Sequence, residues 1–178
     1  MARYKDTQYK IQKEIDSSEI SDVFYLNYRK FQYTYSVIQE IMRFSCTTTR
    51  ATHRALGDVE FKGYRIPANT IIVGNLWSAS RKNNIWIDPD NFNPESNFPM
   101  HGTRLENASH STFIPFSVGR RICPGKDLGM MEMFIFLTRI LRHFEINEEN
   151  SNCSILRATH GITREVAPFK ITFTKRNL

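Results

Sequence analysis

The stretch from Met130 to Leu141 is apolar on nearly every face, interrupted only by Glu132, Thr138 and Arg139, and it predicts a buried helix over Lys126 to Phe144. A helix of that kind must be enclosed by other elements, so the chain has to build a packed core around it. The run is still far shorter than the roughly 18 apolar residues that suggest a membrane-spanning helix. Directly before it comes a loop rich in Gly and Pro, Phe116-Ser-Val-Gly-Arg-Arg-Ile-Cys-Pro-Gly. Loop and helix together place Cys123 close to a helix N-terminus. Unpaired amide N–H groups and the positive end of the helix dipole there favour an anion, such as a thiolate. Arg120 and Arg121 add positive charge, and Gly119 and Gly125 permit backbone angles or close approaches that suggest a flat or bulky object against the loop. Taken alone, a lone cysteine is equally well read as inert packing. A phosphatase-like loop would need an anion-cradling Arg at its far end, where this chain reads Cys-Pro-Gly-Lys-Asp-Leu-Gly.

Upstream, Arg3 to Ile15 reads as an exposed amphipathic helix, and Tyr35 to Phe44 as a second helix with Val37, Ile38, Ile41 and Met42 on its apolar face. Glu40 and Arg43 lie three apart on it, as helix neighbours. From Val59 to Trp77 short β-type runs alternate with turn residues, predicting a small sheet element. Ser78 to Ser111 is polar but keeps Trp86, Phe92 and Phe98, which predicts an ordered meander. Phe144-Glu-Ile-Asn and Phe169 to Thr174 predict short antiparallel strands after the long helix.

The 178 residues suffice for one sizeable core. The 40% apolar content and 13 Phe exclude a disordered chain. Cys46, Cys123 and Cys153 are three in number and widely spaced, with no C-x-x-C, which argues against a disulfide framework or structural zinc and for a reducing compartment. The net charge of +6 is spread among acids with no reader motif, so nucleic-acid binding is not expected. No targeting or anchor segment is recognisable.

The run Phe116-x-x-Gly119-x-Arg121-x-Cys123-x-Gly125 resembles the haem-binding signature of the cytochrome P-450 family, the haem-thiolate monooxygenases, at all five specified positions. Glu40-Ile-Met-Arg43 is similar to the family's Glu-x-x-Arg helix, and Trp86, Pro89, Phe92, Pro94 and Glu95 are similar to its meander. The likeness extends to His53-Arg-Ala, Gly63-Tyr-Arg-Ile-Pro and Asn75-Leu-Trp, in the manner of animal microsomal members.

The resemblance implies an α+β, mainly α fold: the proximal, C-terminal part of the P-450 fold, with a buried helix after the cysteine loop and small β-sheets. Residues 1–178 would form a single partial domain. It implies haem b (iron protoporphyrin IX) with Cys123 as the catalytic axial thiolate and metal ligand. Phe116 would pack beside it, Gly119 shape the turn, Gly125 admit the ring and Arg121 pair with a propionate. His53 would hold another propionate, with Arg54 the alternate and a plain surface imidazole the alternative reading of His53. Arg120 would face solvent towards an acidic electron donor.

Glu40 and Arg43 would form a buried ion pair rather than a solvated one. Its third partner is usually an Arg or His directly after Pro-Glu, where Ser96-Asn97 stands here. Lys82, Asn83 and Gly129 depart mildly from the family pattern. Substrate contacts would come from Thr47 to Arg50, where Thr replaces the usual Pro, and from Gly161-Ile162.

The implied reaction inserts one oxygen atom from O2 into a small apolar organic substrate. Its electrons would come from NADPH through NADPH–cytochrome reductase, with cytochrome b5 as an optional second donor, at the endoplasmic reticulum membrane. The resemblance covers only the C-terminal third or so of the family's length. It leaves the anchor, the distal Trp/Arg helix and the oxygen-handling helix outside these residues. The alternative is therefore a truncated, non-catalytic product that binds haem weakly or not at all.

Overall fold

The computed structural model describes residues 1–18, 28, 30–98, 112–149, 158–160 and 163–177. Three helices make the core: α1 (Lys5–Asp16), α2 (Gln32–Ser45) and α5 (Lys126–His143). Each packs on the other two. Two single-turn helices, α3 (Leu76–Ala79) and α4 (Pro94–Asn97), lie between α2 and α5 in the chain. The strands form four antiparallel two-stranded sheets: β1 (Arg50–Arg54) with β4 (Ile71–Asn75), β2 (Val59–Phe61) with β3 (Tyr64–Ile66), β5 (Phe144–Glu148) with β8 (Ile171–Lys175), and β6 (Ala158–His160) with β7 (Arg164–Val166).

Ile11 and Ile15 of α1, Val37 and Ile38 of α2, and Met130, Phe134 and Leu141 of α5 close on one another, joined by Phe31 and by Ile146 of β5. Phe31 meets Phe134 edge to face with centroids 5.6 Å apart, a favoured aromatic geometry. The helix α5 forms where expected, but only one face is enclosed. Met130, Phe134, Thr138 and Leu141 are buried, whereas Leu128 and Phe136 are 54% and 65% exposed. Periodicity shows which residues are apolar, not how many neighbours are present to cover them.

The first helix is more deeply placed than its mixed composition suggests. Gln8 and Gln12 are buried on the same face as Ile11 and Ile15, because their amides have backbone partners. Gln8 Nε2 donates to Ile146 O at 3.2 Å, and Ile146 N donates back to Gln8 Oε1 at 2.7 Å. Gln12 Nε2 donates to the Leu141 and Phe144 carbonyls. Two polar residues thus dock α1 onto the α5–β5 corner, where a buried amide without partners would be strongly unfavourable.

The second helix begins three residues earlier than expected. Its N-cap, Phe31, contributes no side-chain bond. Instead Glu14 of α1 accepts from Tyr33 N (2.9 Å), Thr34 N (2.8 Å) and Thr34 Oγ1 (2.7 Å), a distant carboxylate meeting the free amides and positive end of the helix.

The β-type runs fall into two sheets rather than one element. β2 and β3 form a hairpin whose turn residues Lys62 and Gly63 both have positive φ, 50° and 80°, the type I′ arrangement matched to strand twist. β4 turns away to pair with β1, a strand not expected from its polar sequence. The meander is ordered over its described residues: Trp86 and Phe98 are buried, and Trp86 Nε1 donates to Ala79 O at 2.8 Å. Phe113 completes the aromatic group, 5.0 Å from Phe98 and 6.0 Å from Trp86. Residues 99–111 of that segment, Cys153 and Gly161-Ile162 lie outside the described residues. Among the described residues, no helix is long and apolar enough to cross a membrane.

Candidate functional site

The cysteine loop is closed by its own backbone. Cys123 N donates to Phe116 O at 2.8 Å, Ser117 N to Ile114 O at 3.0 Å and Ile122 N to Gly119 O at 3.1 Å. Two residues inside it take positive φ, Ser117 at 63° and Gly119 at 70°. At Gly119 an added Cβ would meet nothing within 4 Å, so glycine is suited there by backbone angle and not by space. The chain then enters α5: Gly125 is its N-cap, and Lys126 N donates to Cys123 O at 3.2 Å. A Cβ on Gly125 would stand 3.8 Å from Cys123 Sγ, on the thiol's side of the loop. A Cβ on Gly129 would meet the Phe116 ring at 3.7 Å, an ordinary contact distance.

Cys123 is a free, exposed thiol. It lines a cavity of about 570 Å³ together with Phe116, Arg121 and His53. Four of the six residues singled out in the sequence therefore face one space; Gly119 and Gly125 shape the loop without lining it. His53 comes from β1, opposite Ile72 of β4. Arg54, its alternate, is not among the lining residues, nor is Arg120, which is exposed in the short 3-10 turn Gly119–Arg121. Thr47 and Thr48 of the expected substrate segment also line the cavity, while Thr49 and Arg50 face a different one.

The far wall is α2. Ile41, Met42 and Arg43 line the cavity, and the Glu40–Arg43 pair anchors the helix below them. Both side chains are fully buried, with Arg43 Nε donating to Glu40 Oε2 at 2.6 Å. Arg43 Nη1 donates to the Ser80 and Pro89 carbonyls at 2.8 Å each, and Nη2 to Glu40 Oε1 at 2.7 Å and Asn91 O at 3.1 Å. Each guanidinium nitrogen is thereby engaged, and the group lies 5.4 Å from the Trp86 ring centroid, within cation–π range.

Glu40 Oε1 also accepts from Asn93 N at 2.8 Å and from Asn97 Nδ2 at 3.2 Å. The third partner is therefore a neutral amide two residues after Glu95. Ser96 takes a different role: its N donates to Asn93 Oδ1, capping α4. Sequence reasoning missed Asn97 because it looked for a charge directly after Pro-Glu. It also missed Cys46, which is buried beside the same cavity with its Sγ 3.6 Å from Thr48 O.

The donor set suits a planar, self-ligated metal cofactor. Cys123 is the exposed thiol among the described lining residues, Cys46 being buried, and no group of three His, Cys, Asp or Glu able to hold a metal lies among the described residues. A single axial thiolate is useful when the metal's remaining ligands arrive with the cofactor. Two basic side chains, Arg121 and His53, border the same space for acidic substituents.

The family model described as cytochrome P450 matches residues 1–173. Cytochrome P450 2B15 of Rattus norvegicus is 36% identical over 183 residues, covering 99% of this chain and 36% of that protein. Cytochrome P450 2U1 of Rattus norvegicus is 34% identical over 146 residues, 81% of this chain and 27% of that protein. Cytochrome P450 2D6 of Homo sapiens is 34% identical over 155 residues, 83% and 30% respectively. The chain thus spans about a quarter to a third of the length of these curated relatives.

Proposed function

The chain belongs to the cytochrome P450 family, and from that premise we propose that it is the C-terminal, haem-ligating part of a monooxygenase acting on a small apolar organic substrate. The observation that carries the reading is the convergence of Cys123, Phe116, Arg121 and His53 on one cavity beside a closed cysteine loop. Cys123 would ligate the haem iron through its thiolate, Phe116 would pack beside it, and Gly119 and Gly125 give the loop its shape. Arg121 and His53 would hold the propionates through charge-assisted hydrogen bonds. Ile41, Met42 and Met133 supply the apolar wall, and Thr47 and Thr48 border the substrate end.

When bound, haem b supplies the oxygen-activating redox chemistry, drawing on O2 and on NADPH-derived electrons from a reductase or cytochrome b5. The chain's own contribution is to position the thiolate, exclude water from one side and hold α2 and the meander rigid through the Glu40–Arg43–Asn97 network. Exposed Arg120 offers positive charge to an acidic donor. Residues 1–178 act as one partial domain. The endoplasmic reticulum membrane is its setting.

The test is the reduced carbon monoxide difference spectrum of the complete protein beside Cys123→Ala. A thiolate-type Soret band is expected in the parent and not in the variant. Its absence from the parent, or its survival of the substitution, would refute the assignment. A second reading, for this chain alone, is a non-catalytic product that binds haem weakly or not at all. The exposure of Leu128, Phe136 and Phe173 supports it, as surfaces suited to further partners. Haem titration of residues 1–178 separates the two: stoichiometric low-spin binding with product formation would sink the non-catalytic reading.

A further inference from the structure

Trp77 of α3 has two guanidinium groups over its ring. The central carbon of Arg81 lies 3.2 Å from the ring centroid and that of Arg164, on β7, lies 4.5 Å away. Beside them is a second cavity of about 500 Å³, which shares no lining residue with the cysteine-loop cavity. Thr49, Arg50, Asn75, Trp77, Thr163 and Arg164 line it, and no acidic residue does among the described residues. Backbone bonds bring its walls together: Arg50 is paired with Asn75 across the β1–β4 ladder. Trp77 N donates to Thr49 O at 3.1 Å, and Arg164 N donates to Thr47 O at 2.7 Å.

Positive charge is gathered here, on Arg50, Arg81 and Arg164. Arg164 Nη1 donates to Ser45 O at 2.6 Å, but its Nε is buried and has no hydrogen-bond partner. Arg81 donates to Phe44 O at 2.7 Å and Ser80 Oγ at 3.1 Å. Its acidic neighbour, Asp90, stands 3.8 Å off with its side chain 83% exposed. Burial, followed by the neighbouring charges of Arg164 and Arg43, brings the Arg81 guanidinium down to about 10. The nearby Glu165 accepts from the Thr163 hydroxyl at 3.3 Å.

We infer that this second cavity is an oxyanion-binding site for the phosphate or carboxylate group of a small molecule, with the Arg164 and Arg50 side chains as its cations and Thr49 and Thr163 around them. A part-buried guanidinium with no acid beside it in the cavity wall is unfavourable, and an oxyanion seated against it offsets that penalty. The same anion offsets the repulsion between the Arg81 and Arg164 guanidinium groups, which a low-polarity setting strengthens. Guanidinium suits planar carboxylate and tetrahedral phosphate alike through paired N–H donors.

The experiment titrates the 178-residue chain by calorimetry with inorganic phosphate and, separately, with acetate, at constant ionic strength held by chloride, and follows tryptophan fluorescence in parallel. Saturable one-site binding of at least one probe is expected. It should weaken at least tenfold in Arg164→Gln and in Arg50→Gln, and stay unchanged in Arg139→Gln, an exposed arginine on α5. Because Arg50 is exposed and at a strand end, its variant carries the test should Arg164→Gln fail to fold by circular dichroism. Phosphate binding without acetate binding assigns a phosphate ligand, and the converse a carboxylate. A response that only follows ionic strength would overturn the inference, as would saturable binding that neither Arg50→Gln nor a folded Arg164→Gln weakens.

Discussion

Asn97 joins two segments through one side chain: its Nδ2 donates to Glu40 Oε1 at 3.2 Å while its Oδ1 accepts from Ile87 N at 2.9 Å. The residue is 2% exposed, and its bond to Glu40 is buried while that from Ile87 is part-buried. Asn97→Ala leaves a part-buried amide and a buried carboxylate oxygen short of a partner and is expected to lower unfolding stability by about 1–3 kcal/mol. Ser96→Ala keeps the backbone bond to Asn93 and is expected to stay within about 0.5 kcal/mol of the parent. Urea denaturation of both variants checks this, and equal losses would show that Asn97 is not the third member of the network.

Glu40→Gln strands the buried Arg43 charge among carbonyls and is expected to be more severe, at about 3–5 kcal/mol. Replacing both partners, as Glu40→Leu with Arg43→Met, should recover a large part of that loss because no buried charge is left. A double variant no more stable than Glu40→Gln would count against the pair as an electrostatic unit.

Glycines at two positions in the cysteine loop region respond oppositely. Gly119 holds φ at +70°, so Gly119→Ala is expected to lose roughly 1–2 kcal/mol by forcing a left-handed angle on an L side chain. Gly129 lies inside α5 with ordinary contact distance to Phe116, so Gly129→Ala is expected to gain up to about 1 kcal/mol from helix propensity. Thermal unfolding of the two variants in one buffer distinguishes them, and a destabilising Gly129→Ala would mean that Phe116 tolerates no approach there.

Tyr33 titrates far from its ordinary value. Burial pushes its hydroxyl up to about 12, and the hydrogen-bonded, negatively charged Glu95 beside it adds to the rise. The folded state therefore holds the phenolic proton more tightly than the unfolded chain does. The stabilisation is complete below pH 10 and is lost as the pH climbs from about 10 towards about 12. Measured against Tyr33→Phe, which has no such proton, the parent's relative stability should fall across that window. A difference independent of pH would remove Tyr33 from the titration.

The parts of the fold legible in the sequence are those held by local pattern. The long helix after the cysteine loop, the Lys62-Gly63 hairpin and the paired strands around Phe144 and Phe173 follow from periodicity and turn chemistry acting within a few residues. The site loop was legible for the same reason, since Gly119, Arg121, Cys123 and Gly125 are closely spaced. What escaped is held by distant partners. β1 is written in Thr, Arg and His and becomes a strand only because β4 lies alongside it. α2 starts at Gln32 because Glu14 reaches its first amides, and Gln8 is buried because Ile146 receives it. The residue after Pro-Glu drew attention as a missing charge, yet the bond is made by Asn97, which the single-turn helix α4 rotates into place.

The bond from Cys123 N to Phe116 O has a consequence for kinetics as well as for shape. A loop already closed on itself holds the thiol in one location before any ligand arrives, so little chain entropy remains to be surrendered on capture. Association should then behave as a docking event rather than as folding coupled to binding. Its rate would depend on ligand concentration and barely on denaturant at concentrations below the unfolding transition.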